Sequence, residues 1–238
     1  MAGLSTIEWT NATWNPLTGC TKVSEGCLNC YAERLANRLC AAGNKRYNNG
    51  FRLTLHRDLL TAPIMWRTPR LVFVNSMSDL FHEETPDEFI HLVFGTMRKA
   101  SWHRFQVLTK RSERLLKMAP VIDWPENVWM GVTVESARHL DRIDQLRRVP
   151  SRIRFVSFEP LLEPIMAPDL SSIHWSIVGG ESGPRARHMN AEWVRILRDA
   201  SVRQGVSFFF KQWGGTIKKR NGRLLDGMFW DQMPDKKH

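Results

Sequence analysis

From residue 71 onward, short apolar runs rich in β-branched and aromatic residues alternate with amphipathic helical stretches. That alternation limits the possible folds more than any other feature. Leu71–Val74, Phe105–Leu108, Val128–Val132, Ile153–Val156, Trp175–Val178 and Val206–Phe210 each have the composition of a buried strand. Between them, the capping-box sequence Thr85-Pro86-Asp87-Glu88 predicts a helix with Phe89, Leu92, Val93 and Met97 on one face. A short helix is expected around Arg114–Met118, and Leu140, Ile143 and Leu146 mark another. Asn190 is expected to cap a helix that bears Trp193, Val194 and Leu197 and stops at Gly205. Ser112 and Ser136 also read as helix caps.

Strand–helix alternation with short connections implies βαβ units and a parallel sheet. With a further strand expected at Thr6–Thr10, the pattern predicts an α/β fold: a single-domain parallel βα barrel, partial or closed, over residues 1–213. An open doubly wound sheet is the alternative. Residues 43–70 read as an irregular insertion with one strand at Phe51–Leu55. Residues 214–238 read as a C-terminal extension packed on the barrel, with a small hairpin at Asn221-Gly222.

Composition narrows the function classes. At 238 residues, 42% hydrophobic and 24% charged, the chain has the make-up of a globular protein and enough length for a full core. No apolar run approaches the roughly 20 residues that span a bilayer, and the N-terminus lacks the pattern of a signal peptide. A cytoplasmic chain without membrane segments is expected; nothing in the sequence specifies its oligomeric state. The formal net charge is +10, with basic residues at Arg67/Arg70, Arg147/Arg148/Arg152/Arg154, Arg185/Arg187 and Lys218/Lys219/Arg220. Such an excess favours polyanionic partners, nucleic acid first, with a merely solvated basic surface as the alternative.

Cys20, Cys27 and Cys30 crowd into eleven residues of the loop 19–31, and Cys40 follows on an expected helix from Tyr31 to Ala41. Clustered cysteines of this kind read as metal-binding or catalytic rather than as a disulfide framework. Cys40 lies about 15 Å of helical rise beyond Cys30, so it is expected to pack with Ala32 and Ala36 instead of joining the loop thiolates. Three thiolates suit an iron–sulfur cluster with one iron left open. Zinc closed by His56 or His82 is the alternative, and would make the chain a zinc-stabilised, non-catalytic nucleic-acid-binding protein.

In a parallel βα barrel the site forms at the C-terminal ends of the strands. Here those ends run into Asn75-Ser76-Met77-Ser78-Asp79, Thr109-Lys110, Thr133-Val134-Glu135, Ser157-Phe158-Glu159-Pro160, Gly179-Gly180-Glu181 and Lys211-Gln212. The recurrence of Glu135, Glu159 and Glu181 exceeds what helix capping requires. The glycine pair would let a ligand approach the backbone.

This order of a strand, a three-cysteine loop, a helix and βα units resembles the radical S-adenosylmethionine enzymes. Their usual spacing is three residues and then two; here Thr21–Gly26 makes the first gap six. Asn75-Ser-Met-Ser-Asp79, Thr109-Lys110 and Gly131-Val-Thr-Val-Glu135 look like segments of the spore photoproduct lyase-like branch. IEWTNATWNPLTGCTKVSEGCLNCYAERL, FVNSMSDLFHE, VLTKRS, FEPLL and IVGGESG are similar to a phage and bacterial family noted for a three-cysteine motif and an adjacent-gene partner protein.

The resemblance implies that Cys20, Cys27 and Cys30 bind three irons of a [4Fe–4S] cluster and that the fourth iron chelates S-adenosyl-L-methionine. Ser76, Ser78 or Asp79 would hold the cosubstrate's amino group and Lys110 its carboxylate. Thr133 or Glu135 would meet the ribose, and Gly179 and Gly180 would pack against the nucleoside. A 5′-deoxyadenosyl radical would then abstract a substrate hydrogen, with Glu159, Glu181 and Lys211 on the substrate side.

Overall fold

The computed structural model describes residues 2–5, 7–217 and 220–234. Thr6 of the expected first strand, Lys218 and Lys219 of the basic run, and the last four residues of the C-terminal extension lie outside them. The chain divides into two compact units, and Val128–Thr133 (β7) contributes residues to both.

In the first unit (residues 1–23, 30–130 and 149–152), β1 (Ala2–Leu4) pairs antiparallel with β2 (Ala12–Trp14). β2 lies parallel to β5 (Leu71–Val74), which lies parallel to β6 (Arg104–Thr109). The first parallel strand therefore starts at Ala12, not within Thr6–Thr10. The physical reason is local. Thr10 N–H closes a turn on the Ile7 carbonyl (3.3 Å), and Trp9 is buried with its ring 4.6 Å from that of Phe73. Thr10 Oγ1 then donates to Leu71 O at 2.9 Å, which leaves Ala12-Thr13-Trp14 to pair. β3 (Leu17–Thr18) and β4 (Thr54–Leu55) form a separate antiparallel pair, so the strand expected over Phe51–Leu55 contracts to its last two residues.

Helix α1 spans Tyr31–Ala41, the range its spacing predicts, and buries Ala32 and Ala36 against Tyr47 and Met77. Cys40 packs partly buried on the same cluster, its Sγ 3.7 Å from the Asn48 carbonyl. Helix α2 (Asp87–Lys99) buries Phe89, Ile90, Val93, Phe94 and Met97, each such side chain contributing about 1.5–3 kcal/mol. Leu92 lies about 130° round the helix from that stripe and faces solvent, contrary to the expected face. The capping box does not form: Pro86 holds the cap position and Thr85 Oγ1 is buried without a partner. Helix α3 covers Ser112–Met118 with Arg111 at its cap, so Ser112 lies inside the first turn rather than capping it.

In the second unit (residues 24–29, 131–148 and 153–238), β8 (Ile153–Phe158), β9 (Trp175–Gly179) and β10 (Ser207–Gln212) run parallel. Trp175 sits opposite both Phe155 and Ser207. Helix α4 spans Asp141–Arg147, and α5 spans Ala191–Arg203. Asn190 caps α5 by accepting from Glu192 N–H, and the chain turns at Gly205, whose φ of +68° favours glycine. Ser136 does not cap the turn it precedes; its hydroxyl bonds Glu25 instead. Among the described residues no strand pair flanks Asn221-Gly222, where the hairpin is expected. Arg223 there donates to Lys211 O, and the only local bridge joins Leu225 and Met228.

The main sheet has the order β1-β2-β5-β6-β7-β8-β9-β10, with β1 antiparallel to its neighbour. This is an α/β fold with the strand order of a partial βα barrel. No described helix is long and apolar enough to cross a membrane.

Candidate functional site

The cysteine-loop residues and strand ends expected to carry function divide between the two units. In the first unit, Gly19 leads into Cys20 with a φ of +87°, and a Cβ there would lie 2.1 Å from Arg52 O. Only glycine lets the insertion pack so closely on the loop. Cys20 N–H donates to Phe51 O at 3.2 Å. Cys20 Sγ accepts from Arg111 Nη1 at 3.4 Å. Cys30 occupies the cap of α1 and packs on its small-residue cluster. No disulfide joins any of the four cysteines.

The β5 and β6 ends supply a dense polar net. Asn15 Oδ1 accepts from Ser76 Oγ (3.2 Å) and Met77 N–H (3.1 Å), and Ser78 Oγ donates to Leu17 O at 2.9 Å. Asp79 is buried and accepts from Thr109 Oγ1 (2.7 Å), Phe81 N–H (3.0 Å), Lys110 N–H (3.1 Å) and Arg111 Nη1 (3.2 Å). It thus braces the β6 end. Burial works against the charge of Arg111, but Asp79, Cys20 and Glu83 outweigh it and hold the guanidinium above its ordinary pKa.

Asn75, which the sequence reading did not single out, has a φ of 61° and is 3% exposed. Neither polar atom of its side chain has a partner. A buried amide with an unpartnered donor and acceptor at a strand end is suited to meet a polar ligand. The histidines considered for zinc are engaged elsewhere. His56 Nε2 meets Thr18 Oγ1 and His82 Nε2 meets Thr21 Oγ1, each at 2.9 Å. Burial lowers the pKa of both rings.

In the second unit, Ser24–Asn29 carries Cys27 in a single helical turn, with Ser24 Oγ 3.7 Å from Cys27 Sγ. Three acidic side chains hold this segment. Glu135 is fully buried, accepts from Ser24 Oγ and pairs with Arg142 Nη1 at 2.8 Å. Gly26 packs closely beside it: a Cβ there would lie 2.7 Å from Glu135 Oε1, so the carboxylate would have to shift. Glu181 accepts from Asn29 Nδ2 (3.0 Å) and from Arg187 through its N–H, Nε and Nη2, and Arg187 Nη2 also donates to Glu25 O at 3.0 Å. Burial raises the Glu181 pKa, but these hydrogen bonds outweigh it, so the net shift is downward. The Ser136 hydroxyl (2.5 Å), with His139 behind it, pushes Glu25 down to about 2.

At the β8–β10 ends, Lys211 Nζ grips both Glu159 oxygens, at 2.6 and 2.8 Å. Gln212 Nε2 donates to Ser182 Oγ at 2.7 Å. Thr133 is buried, and its carbonyl accepts from Arg142 at 2.8 Å. A Cβ on Gly180 would lie 2.1 Å from Trp213 O, and one on Gly179 would lie 3.2 Å from the Glu159 carboxyl carbon. The chain's own packing on Trp213 therefore demands glycine at 180, and packing on Glu159 favours it at 179.

Among the described residues, no three or more His, Cys, Asp or Glu side chains are assembled as a metal site. By donor chemistry and sequence proximity the thiols nonetheless suit a thiolate-ligated cluster: three unbridged cysteines lie within eleven residues of sequence, and an N–H stands at the sulfur of Cys20 and an O–H at that of Cys27. Sequence reasoning missed Arg111, whose partners Cys20 and Thr21 lie 91 and 90 residues away, and also Arg142 and Arg187, whose partners Glu135 and Glu181 lie 7 and 6 residues back across loops rather than at helical spacing.

A cysteine-bearing loop ahead of a largely parallel βα sheet defines the class to which this chain belongs. The chain is a member of the family described as "Protein of unknown function (DUF5131)", whose pattern matches residues 4–234. No curated protein matches it. Among solved structures it is similar to a point mutant of spore photoproduct lyase, with a TM-score of 0.58 and 9% identity over 90% of this chain and 79% of that one. A second point mutant of that lyase, with dinucleoside spore photoproduct, gives a TM-score of 0.51 at 10% identity. That match covers 85% of this chain and 64% of the other. At such identities the likeness establishes a shared fold.

Proposed function

We propose that this chain is a radical S-adenosylmethionine enzyme of the three-cysteine-motif family, with Cys20, Cys27 and Cys30 holding a [4Fe–4S] cluster. The observation that carries the reading is three unbridged thiols within eleven residues, on a chain with the fold of spore photoproduct lyase. When bound, the cluster and S-adenosyl-L-methionine supply a 5′-deoxyadenosyl radical, with methionine as the second product.

The protein's own residues bind and orient. Asn75, with Ser76, Ser78 and Asp79 beside it, offers polar groups to the cosubstrate's amino acid portion, and Lys110 offers a cation to its carboxylate. Thr133 and Glu135 stand on the ribose side, with Gly179 and Gly180 against the nucleoside. Glu135 and Glu181 also hold the Cys27 segment in place. Lys211 and Glu159 neutralise one another and present a polar pair to the substrate. The basic excess favours a nucleic acid or nucleotide as substrate, and the adjacent-gene partner belongs to the same proposal.

The test is anaerobic purification and reconstitution. The protein should be brown, contain iron and sulfide, and release 5′-deoxyadenosine when given S-adenosylmethionine and dithionite. Cys27→Ala should abolish the iron, and Cys40→Ala should retain it. A colourless protein with one zinc and no 5′-deoxyadenosine would overturn the reading. Iron loss in the Cys40 variant would overturn the three-ligand assignment.

A further inference from the structure

Arg111 is a side chain that neither the strand-end pattern nor the proposed cofactor contacts account for. Its side chain is 4% exposed, and every guanidinium nitrogen is engaged. Nε donates to both Glu83 oxygens (2.9 and 2.8 Å). Nη2 donates to Thr21 O (3.2 Å) and Thr21 Oγ1 (2.9 Å). Nη1 is shared between Asp79 Oδ2 (3.2 Å) and Cys20 Sγ (3.4 Å). Asp79 is fixed in turn by Thr109, Phe81 and Lys110.

A brace for the loop needs only the bonds to Glu83, Asp79 and Thr21. The bond to sulfur is not needed for that brace; it fixes the direction of the Cys20 thiolate. Its effect is electrostatic: a fixed cation and a directed N–H at a thiolate stabilise added negative charge on whatever the thiolate ligates. Hydrogen bonds to the sulfurs are among the features that set cluster potentials.

We infer that Arg111 is a positioning residue that orients the Cys20 thiolate and, through its N–H···S bond, raises the reduction potential of the cluster Cys20 would ligate. The inference rests on the function proposed above. Reduction by an external low-potential donor adds one electron and no proton, and no bond forms or breaks. The guanidinium acts by favouring the more negative product.

The experiment compares the wild-type chain with Arg111→Gln and Arg111→Lys, all reconstituted with iron and sulfide and titrated with dithionite against redox dyes. Iron content and circular dichroism are read alongside. In Arg111→Gln the reduced-to-oxidised ratio at a fixed potential should fall about tenfold, a shift of about 59 mV downward for one electron. Arg111→Lys keeps the charge without the planar fork and should fall between the two. An Arg111→Gln cluster that titrates at the wild-type potential would show a brace only and overturn the inference. Loss of the cluster in both variants would overturn it as well. A wild-type chain that takes up no iron and sulfide overturns the proposed function first, and this inference with it.

Discussion

His103 shows how much a single buried ring can decide. It is 0% exposed and packed against the rings of Trp66, Trp102 and Phe105. Arg70 N–H donates to its Nδ1 at 3.1 Å, so the proton sits on Nε2, facing Pro63 O at 3.0 Å. Burial, then the nearby Arg70 charge, lowers its pKa from the ordinary 6.5. The folded chain therefore binds fewer protons than the unfolded one just below pH 6.5. Stability present above that pH is lost as pH falls toward the folded pKa. Urea midpoints should drop between pH 7.5 and 5.5, and the drop should shrink in His103→Asn, although that variant is less stable throughout. An undiminished pH slope would assign the effect elsewhere. Gly131 makes the complementary case for shape. A Cβ there would lie 2.5 Å from the buried Phe155 ring, which already packs on Trp175. Gly131→Ala should cost about 1–3 kcal/mol and lower Tm by several degrees in a thermal melt; an unchanged Tm would mean that the ring can move aside.

Elements were legible in proportion to how local their causes are. Leu71–Val74 and Tyr31–Ala41 match their predicted bounds because an apolar run or a helical spacing is written in the segment itself. The first parallel strand was misplaced because Thr10 and Trp9 act through Leu71 and Phe73, some sixty residues away, which no local pattern records. The strand-end carboxylates were visible as a recurring theme, but their arginine partners were not. That partnership changes what Glu181 is expected to do. Replacing it with Gln removes the charge that fixes Arg187 and weakens the hold on Asn29 and on Glu25 O. The segment 24–29 should then exchange its amides faster, and iron occupancy after reconstitution should fall. Glu159→Gln disturbs the pair with Lys211 and the bond from Gln212 Nε2, neither of which reaches the segment 24–29, so it should leave iron occupancy intact and impair substrate turnover. Equal iron occupancy in both variants would remove the distinction drawn between the two carboxylates.

Across the whole molecule the formal charge of +10 overstates the cationic surface open to a partner. Many arginines are consumed locally: Arg46 by Asp58, Arg147 by Asp144 and Asp169, Arg152 by Glu126, and Arg195 and Arg198 by Asp226. Exposed pairs of this kind add little stability, but each removes a cation from the pool available to phosphates. Of the run Arg147/Arg148/Arg152/Arg154, Arg148 is the exposed member with no ion pair among the described residues. If the chain binds single-stranded nucleic acid, log K should fall linearly with log salt at about −0.7 per phosphate neutralised. Arg148→Ala should then reduce that slope by about one contact, whereas Arg152→Ala should change it less, because its charge is already shared with Glu126. Fluorescence anisotropy with a labelled oligonucleotide between 50 and 200 mM salt, roughly the range over which counterion release dominates, measures both slopes. A salt-independent affinity, or equal effects of the two substitutions, would show that the basic excess is solvated surface and return the search for a substrate to the strand ends around Glu159 and Lys211.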